Sequence, residues 1–313
     1  MDVLSIILTI LGLSLFETIC SIDNAIINAQ VLNTMKPWAR RWFLLWGLLI
    51  AVFLIRGILP WVIVWVSTPG LGFLGSLTAT FSNDAHIAEI LEASAPILMM
   101  GGGVFLLFLF LHWIFLEKKN CGLQFEKFFI SKGIWFFAVA SIVLTLLVWY
   151  GMKLNPMIGF GAVVGSTVFF ITHGFKESAE QKERNLIKKH VSDISKLLYL
   201  EVIDATFSID GVLGALAFTL SIPLILVGNG IGALVVRQMT VSNLKRIQEY
   251  AYLKNGAMYS IFVLGFIMIA EGFKVNIPAF VAPISTFVIV GYFFYKSHRR
   301  NQLKHFVEII EGK

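Results

Sequence analysis

Two ten-residue stretches repeat one pattern of polar residues inside long apolar sequence: FETICSIDNA at residues 16–25 and IDATFSIDGV at residues 203–212. Each contains an acid, three further residues, Ser-Ile-Asp, and then a small or amide residue. Acidic side chains are rare and costly in membrane helices, so chance alone is a poor explanation for the match. We interpret the two stretches as copies of one motif, each carried by its own helix.

The composition of the chain indicates that lipid is its main solvent. Of its 313 residues, 57% are hydrophobic and 14% are charged, whereas a soluble domain carries about 25% charged residues. The net charge of +6 does not indicate nucleic-acid binding, because the basic residues lie in short loops between apolar runs. Cys20 and Cys121 are far apart in sequence and predict neither a disulfide framework nor a metal-ligand spacing.

The apolar runs predict an all-α, polytopic transmembrane helix bundle. A helix needs about 20 apolar residues to cross a bilayer core, and these runs are continuous rather than alternating as in a barrel. Nine spans are predicted, and the fifth, seventh and eighth are short. The spans are roughly 4–31, 42–66, 95–116, 134–152, 157–173, 198–220, 222–238, 256–270 and 279–295.

The loop charges predict how the chain is oriented in a cell (inner) membrane. With nine spans, one side of the membrane receives only Lys153 and Lys274 from the basic residues of its loops. Cytoplasmic loops carry the excess of Lys and Arg, so the N-terminus is predicted outside and the C-terminus in the cytoplasm. The basic loops of the cytoplasmic side are 32–41, 117–133, 174–197, 239–255 and the C-terminal tail.

The motif copies begin spans one and six, which cross the membrane in opposite directions. This arrangement predicts an inverted-topology repeat, in which transporters bind their substrates near the midplane. Spans one to three form one half and spans six to eight the other, with spans four, five and nine as additions. The predicted organisation is a first repeat at 1–116, an intervening region at 117–197, a second repeat at 198–270, and a last span with a basic tail at 271–313.

Helical geometry separates the acids of each copy. At about 100° per residue, Asp23 and Asp210 point about 120° away from the polar face of their helices. Either each acid faces a different partner, or the helix unwinds near Ser-Ile-Asp. Gly211 and Gly214 favour a break in the second copy, and the first copy has no glycine there. The shared polar faces are Glu17, Ser21, Asn24 and Asn28 in the first copy, and Asp204, Ser208 and Gly211 in the second.

The intramembrane acids indicate a cation site. Four unpaired acids at the bilayer centre would cost on the order of 10 kcal/mol, which is comparable to a whole protein's stability of about 5–15 kcal/mol. Arg56 and Arg237 would offset only part of this cost, and Glu201 adds a further acid. A divalent ion would remove the deficit, and carboxylate, amide and carbonyl oxygens suit Mg²⁺, Ca²⁺ or Mn²⁺. His112 and His173 are interpreted as interfacial residues.

The motif residues resemble a known family. The run Glu17…Ser21-Ile22-Asp23-Asn24-Ala25 is similar to the opening motif of the TerC family, and Asp204…Ser208-Ile209-Asp210 resembles its second motif. The segment Gly101-Gly102-Gly103, Asn229 with Arg237, and the span beginning Asn255-Gly256 are similar to later family features. The resemblance implies a LysE-type transporter with manganese efflux as its activity, although Gly211 stands where the first copy has Asn24. The ion site it implies consists of Glu17, Asp23, Asn24, Asp204 and Asp210. We predict supporting roles for Ser21, Asn28, Arg56, Glu201, Ser208, Asn229 and Arg237.

The resulting hypothesis is export of a divalent cation by a transporter that is not an enzyme. Mn²⁺ is favoured over Ca²⁺ and Mg²⁺, proton exchange is a candidate energy source, and the partners are the lipid bilayer and the metal substrate. Two alternatives stay open: a membrane-embedded aspartyl enzyme with a shared-proton dyad, and a non-transporting scaffold in metal or tellurite stress. The acids could also be protonated groups that only bond helices together. Whether the chain forms a homo-oligomer stays open.

Overall fold

The computed structural model describes residues 3–47, 72–79, 85–188, 192–242 and 249–310, with a few isolated positions between 50 and 70, and every regular element in this part is helical. This confirms the all-α prediction. The α-helices are α1 (Val3–Cys20), α2 (Ile22–Leu32), α3 (Pro37–Trp42), α4 (Gly72–Ala79), α5 (Ala85–Leu116), α6 (Glu126–Ser131), α7 (Phe136–Leu154), α8 (Pro156–Lys188), α9 (Asp193–Leu216), α10 (Ile222–Ser242), α11 (Leu253–Gly272) and α12 (Val281–Ile310).

Six of the described segments are long and apolar enough to cross a membrane. They correspond to predicted spans one, three, four, five, seven and eight, so the three short spans are among them. Spans six and nine lie in α9 and α12. Span two, at 42–66, falls largely outside the described residues apart from a π-helical turn at Phe43–Gly47. The six segments are Val3–Cys20, Ser94–Leu116, Gly133–Leu154, Pro156–Ser178, Ile222–Met239 and Leu253–Gly272.

The centre of the bundle is held together by glycine contacts around α5. Lipid tails are as apolar as leucine, so membrane helices associate through close packing of small residues. A Cβ added at Gly161 of α8 would lie 2.7 Å from the Ile97 carbonyl oxygen of α5, and one at Gly103 of α5 would lie 2.9 Å from the Gly265 carbonyl oxygen of α11. The glycines at 101, 103, 161 and 165 therefore serve close packing between helices.

Contacts between the helices of the two motif copies define their relative directions. Along α1, Leu13 packs on Gly228 and Glu17 packs on Gly232, so α1 and α10 run parallel. In contrast, Glu17 packs near Gly211 while Phe16, one residue earlier, packs on Gly214. The Phe16 and Phe218 rings are also in contact, with centroids 5.7 Å apart. The helices α1 and α9, which carry the two motif copies, are therefore antiparallel.

The backbone interruption expected in the motif occurs in the first copy instead of the second. Ser21 separates α1 from α2 with φ −87° and ψ 0°, whereas α9 continues without a break from Asp193 to Leu216. The Ser21 N–H still bonds to the Glu17 carbonyl at 3.0 Å, so the irregularity is local. The expectation of a break at Gly211 was wrong because this glycine is used for close approach to α1, and glycine in an otherwise favourable helix does not by itself end it.

Large apolar side chains are exposed on many of the described helices. The described face of α7 exposes Phe137, Ile142, Leu146 and Trp149. A water-facing monomer rarely shows contiguous apolar patches larger than a few hundred Å². Together with the six long apolar segments, this surface identifies the chain as a polytopic membrane protein.

Candidate functional site

The Glu17 side chain lies at the junction of the two motif copies. It is 0% exposed and packs between two glycines that come from different helices. A Cβ added at Gly211 of α9 would lie 2.9 Å from Glu17 Oε2, and a Cβ added at Gly232 of α10 would lie 2.6 Å from Glu17 Cβ. A side chain at either position would press on Glu17, so the two glycines give this side chain its room. Ser21, one turn later, donates a hydrogen bond to Glu17 Oε1.

Hydroxyl groups of α1 hold this helix against α10. Ser14 Oγ lies 2.7 Å from the Ile10 carbonyl oxygen and 3.0 Å from the Gly228 carbonyl oxygen. Thr18 Oγ1 donates to the Ser14 carbonyl oxygen at 2.7 Å and lies 3.5 Å from that of Gly232. Ser14 and Thr18 thus lie against the backbone of Gly228 and Gly232. These contacts set the register of α1 on α10 and place Glu17 at Gly232.

Two buried asparagines lie on helices next to α1. Asn229, between Gly228 and Gly230 of α10, is 0% exposed, and neither its Oδ1 nor its Nδ2 bonds to any described residue. Asn28 of α2 is also buried, and its Oδ1 has no hydrogen-bond partner in the described part of the chain. A buried amide left without partners costs about 1–3 kcal/mol. Both side chains therefore have oxygen atoms available to a ligand.

The second motif copy is positioned by the first turns of α9. Ser192 caps this helix by accepting the Ser195 N–H at 3.3 Å. Lys196, which is buried, then donates to Thr34 Oγ1 at 2.9 Å and fastens α9 to the end of α2. Glu201, one turn further, packs on Gly47, and its carboxylate oxygens bond to no described residue. Asp204 follows on the same side of the helix, close enough for its charge to act on Glu201.

Lys176 of α8, rather than Arg237, supplies a positive charge near Asp210. The charge of Lys176 acts on the Asp210 carboxylate. Arg237, by contrast, has no hydrogen bond or ion pair with the side chains that the structure describes. The sequence analysis missed Lys176 because it lies in a basic stretch typical of cytoplasmic loops, and only the packing of α8 beside α9 distinguishes it from its neighbours.

Several predicted site residues fall outside the described residues. The structure describes neither the side chains of Asp23, Asn24 and Ser208 nor any atom of Arg56. Among the side chains that are described, no three His, Cys, Asp or Glu residues lie close enough to hold a metal ion. The described part brings Glu17 to Gly211, which follows Asp210 in the chain. The contributions of Asp23 and Asn24 to the site stay predictions.

A second buried carboxylate shows how this chain can satisfy an acid entirely with its own hydrogen-bond donors. Glu126 of α6 is 0% exposed and accepts bonds from Gly122 N at 2.8 Å, from Asn255 Nδ2 at 3.1 Å and from the Tyr259 hydroxyl at 2.9 Å. Its oxygens are thus fully used within the protein. This cluster joins α6 to α11 and illustrates the helix-bonding role that the sequence analysis weighed for all the acids.

Comparison with known proteins gives one match. The model of a family described as "Protein of unknown function (DUF475)" matches residues 22–304. The matched range contains the whole second motif copy and begins after Glu17 of the first. No curated protein and no solved structure matches the chain.

Proposed function

The chain belongs to the DUF475 family, whose function is unknown, and we propose that it exports a divalent metal cation, with Mn²⁺ as the favoured substrate. Export requires a site that both sides of the membrane reach in turn. The proposed ligands are Glu17, Asp23, Asn24, Asp204 and Asp210, with Asn28 and Asn229 as supporting oxygen donors.

One observation carries this proposal: the Glu17 carboxylate of the first copy lies against Gly211 of the second copy. The two stretches are separated by almost two hundred residues, yet they meet between α1 and α9. If the acid motif served only local helix packing, the two copies would not need to contact each other. Contact between the two motif copies is what an inverted repeat places at its central binding site.

The directions of the helices support the inverted repeat. Nine crossings require spans one and six to be antiparallel and spans one and seven to be parallel, and α1 has these relations to α9 and α10. In the inverted repeat, span one corresponds to span six and span three corresponds to span eight. A contact between spans one and eight therefore implies an equivalent contact between spans six and three. The corresponding pairs, α1 with α11 and α9 with α5, both pack together.

The chemistry of the site favours a hard divalent cation. Carboxylate and amide oxygens are the ligands that Mn²⁺, Mg²⁺ and Ca²⁺ accept, and cysteine and histidine are not needed for them. The open bonding capacity of Asn229 and Asn28 contrasts with the fully bonded Glu126. Mn²⁺ is chosen among the three ions because the motif residues resemble those of the TerC family.

In this mechanism the ion enters from the cytoplasm and displaces protons from the acids of the two copies. Rocking of the two repeats then exposes the site to the other side, in an inner membrane with the N-terminus outside. Lys176, whose charge acts on Asp210, helps to balance the emptied site, and Arg56 keeps its predicted supporting role. The bilayer and the metal are the only partners that the proposal requires.

The test is Mn²⁺ flux in proteoliposomes that contain purified protein. We expect flux in the wild type and its loss in the double variant Asp23→Asn/Asp210→Asn, because both copies lose a charged ligand. Glu177→Gln is the matched control, since Glu177 is an exposed acid on α8. Equal flux in the wild type and the double variant would refute the proposal and would favour a scaffold role.

A further inference from the structure

Two side chains on the facing helices α2 and α9 have buried oxygen atoms without hydrogen-bond donors. Both carboxylate oxygens of Glu201 are buried and bond to no described residue. Asn28 of α2 is 7% exposed, and its Oδ1 accepts no hydrogen bond in the described part of the chain. The buried Lys196, five residues before Glu201, does not supply the missing charge, because its ammonium donates to Thr34 Oγ1 at 2.9 Å.

Helix geometry brings these oxygens to one place. Val31 of α2 and Leu197 of α9 belong to one buried apolar cluster, and the start of α9 is bonded to the end of α2. Asn28 precedes Val31 by three residues and Glu201 follows Leu197 by four, so each lies one turn further along the same helix face. Because the two helices run in opposite directions, both steps lead toward the motif junction and place Asn28 opposite Glu201. Asp204 follows Glu201 by three residues and shares its side of α9.

These groups lie too far from the Glu17 carboxylate to share one ion with it. A Cβ at Gly211 would lie 2.9 Å from Glu17 Oε2, whereas Asp204 precedes Gly211 by seven residues, which is about 10 Å along the unbroken α9. Helical side chains also tilt toward the N-terminus, which moves the Asp204 carboxylate farther away. Oxygens that bind one ion lie no more than about 5 Å apart. The acids of the second copy therefore occupy two separate positions along α9.

The repeat itself predicts a second position of this kind. Glu17 and Asp204 are equivalent in the two motif copies, and so are Asn24 and Gly211. In an inverted repeat, the contact of Glu17 with Gly211 implies an equivalent contact of Asp204 with Asn24, whose side chain falls outside the described residues. Two equivalent acids are thus expected on opposite sides of the centre of the repeat.

We propose that Glu201, Asp204 and Asn28 form a second divalent-cation site, which an ion occupies before it reaches the motif junction. This inference rests on the proposed function and deepens it, because Asp204 then belongs to an entry site and not to the site of Glu17. The basic loops next to α2 and α9 put the entry site on the predicted cytoplasmic side, from which an exported ion arrives. Glu201 stands at the motif position that Ser14 holds in the first copy, so the entry site carries an additional carboxylate. Two carboxylates and one amide leave coordination positions for water, which suits an ion that must be passed on.

The test counts the Mn²⁺ ions bound to full-length protein in detergent, by equilibrium dialysis up to about 1 mM Mn²⁺. We expect two ions per chain in the wild type and one in the double variant Glu201→Gln/Asp204→Asn. The remaining ion should keep its wild-type affinity within about threefold, because the two sites are well separated. Asp210→Asn should lose the other ion and keep the one at the entry site. The control Glu177→Gln, at an exposed acid on α8, should bind two ions.

The same variants separate failure of this inference from failure of the proposed function. One ion per chain in the wild type would overturn the entry site, and would leave the proposed function intact where Mn²⁺ flux in proteoliposomes persists. A wild type with neither Mn²⁺ binding nor flux would overturn both. If the double variant does not fold, Glu201→Gln alone is compared with Glu201→Asp, which keeps the charge and should keep both ions. Loss of the same ion in both of these variants would contradict the role of the Glu201 charge.

Discussion

Replacement of Gly211 by alanine should separate metal binding from stability. The new Cβ would lie 2.9 Å from Glu17 Oε2 and 3.9 Å from Glu17 Cδ, and it would contact nothing else within 4 Å. An unstrained contact lies at about 3.5 Å, so the carboxylate must retreat by roughly half an ångström. Displacement of a metal-site group on this scale lowers affinity by about 10–100-fold.

The stability of this variant should change little. Alanine is favoured over glycine inside a helix by about 1 kcal/mol, and the displaced atom is the mobile end of a side chain. We therefore expect thermal melting within about 1 kcal/mol of wild type, with Mn²⁺ affinity by calorimetry reduced at least tenfold. Gly232→Ala should behave differently, because its Cβ would lie 2.8 Å from the Ser14 carbonyl oxygen. This backbone clash should destabilise the protein by about 1–3 kcal/mol.

The matched control for the added methyl group is Gly291→Ala on α12, where a Cβ would meet no atom within 4 Å. This variant should keep wild-type Mn²⁺ affinity while gaining the helix preference of alanine. If Gly211→Ala and Gly291→Ala bind Mn²⁺ equally well, the Glu17 carboxylate does not act at the motif junction and the reasoning for the site fails.

Three further measurements address single groups. Asn229→Leu should raise the unfolding free energy by about 1–3 kcal/mol, because it removes a buried amide without partners. It should also weaken Mn²⁺ binding measured by calorimetry. A less stable variant with unchanged Mn²⁺ affinity would contradict this. Glu126→Gln should lower stability by about 1.5–3 kcal/mol through lost charge-assisted bonds, with Mn²⁺ affinity unchanged, and an affinity loss would make Glu126 part of the site. Burial lowers the pKa of Lys119 to about 8, so the unfolded chain binds more protons between about pH 8 and pH 10.5 and stability should rise with pH across this window. Melting of Lys119→Met should lack this increment, and an identical pH profile would count against the burial argument.

The sequence was sufficient for the helical class and for most of the crossing segments. A membrane helix must satisfy its own backbone hydrogen bonds within one continuous apolar run, so its signal is local in the chain. The acids of the motif were equally visible, since a carboxylate such as Asp210 stands out in apolar sequence. The close packing at Gly161 and Gly165 also follows a local pattern, because small residues four apart are typical of close helix contacts.

Helix partners and the environment of each acid required the folded structure. Glu17 packs on Gly211 and Gly232, which lie on two other helices. The charge of Lys176 acts on Asp210 while that of Arg237 does not, and nothing in the local sequence distinguishes these two basic residues. Local periodicity states which face of a helix is polar, but it does not state which distant helix will cover that face. The choice of covering helix depends on shape complementarity between helices that lie far apart in the chain. Here Gly211 and Gly232 provide the space in which Glu17 packs.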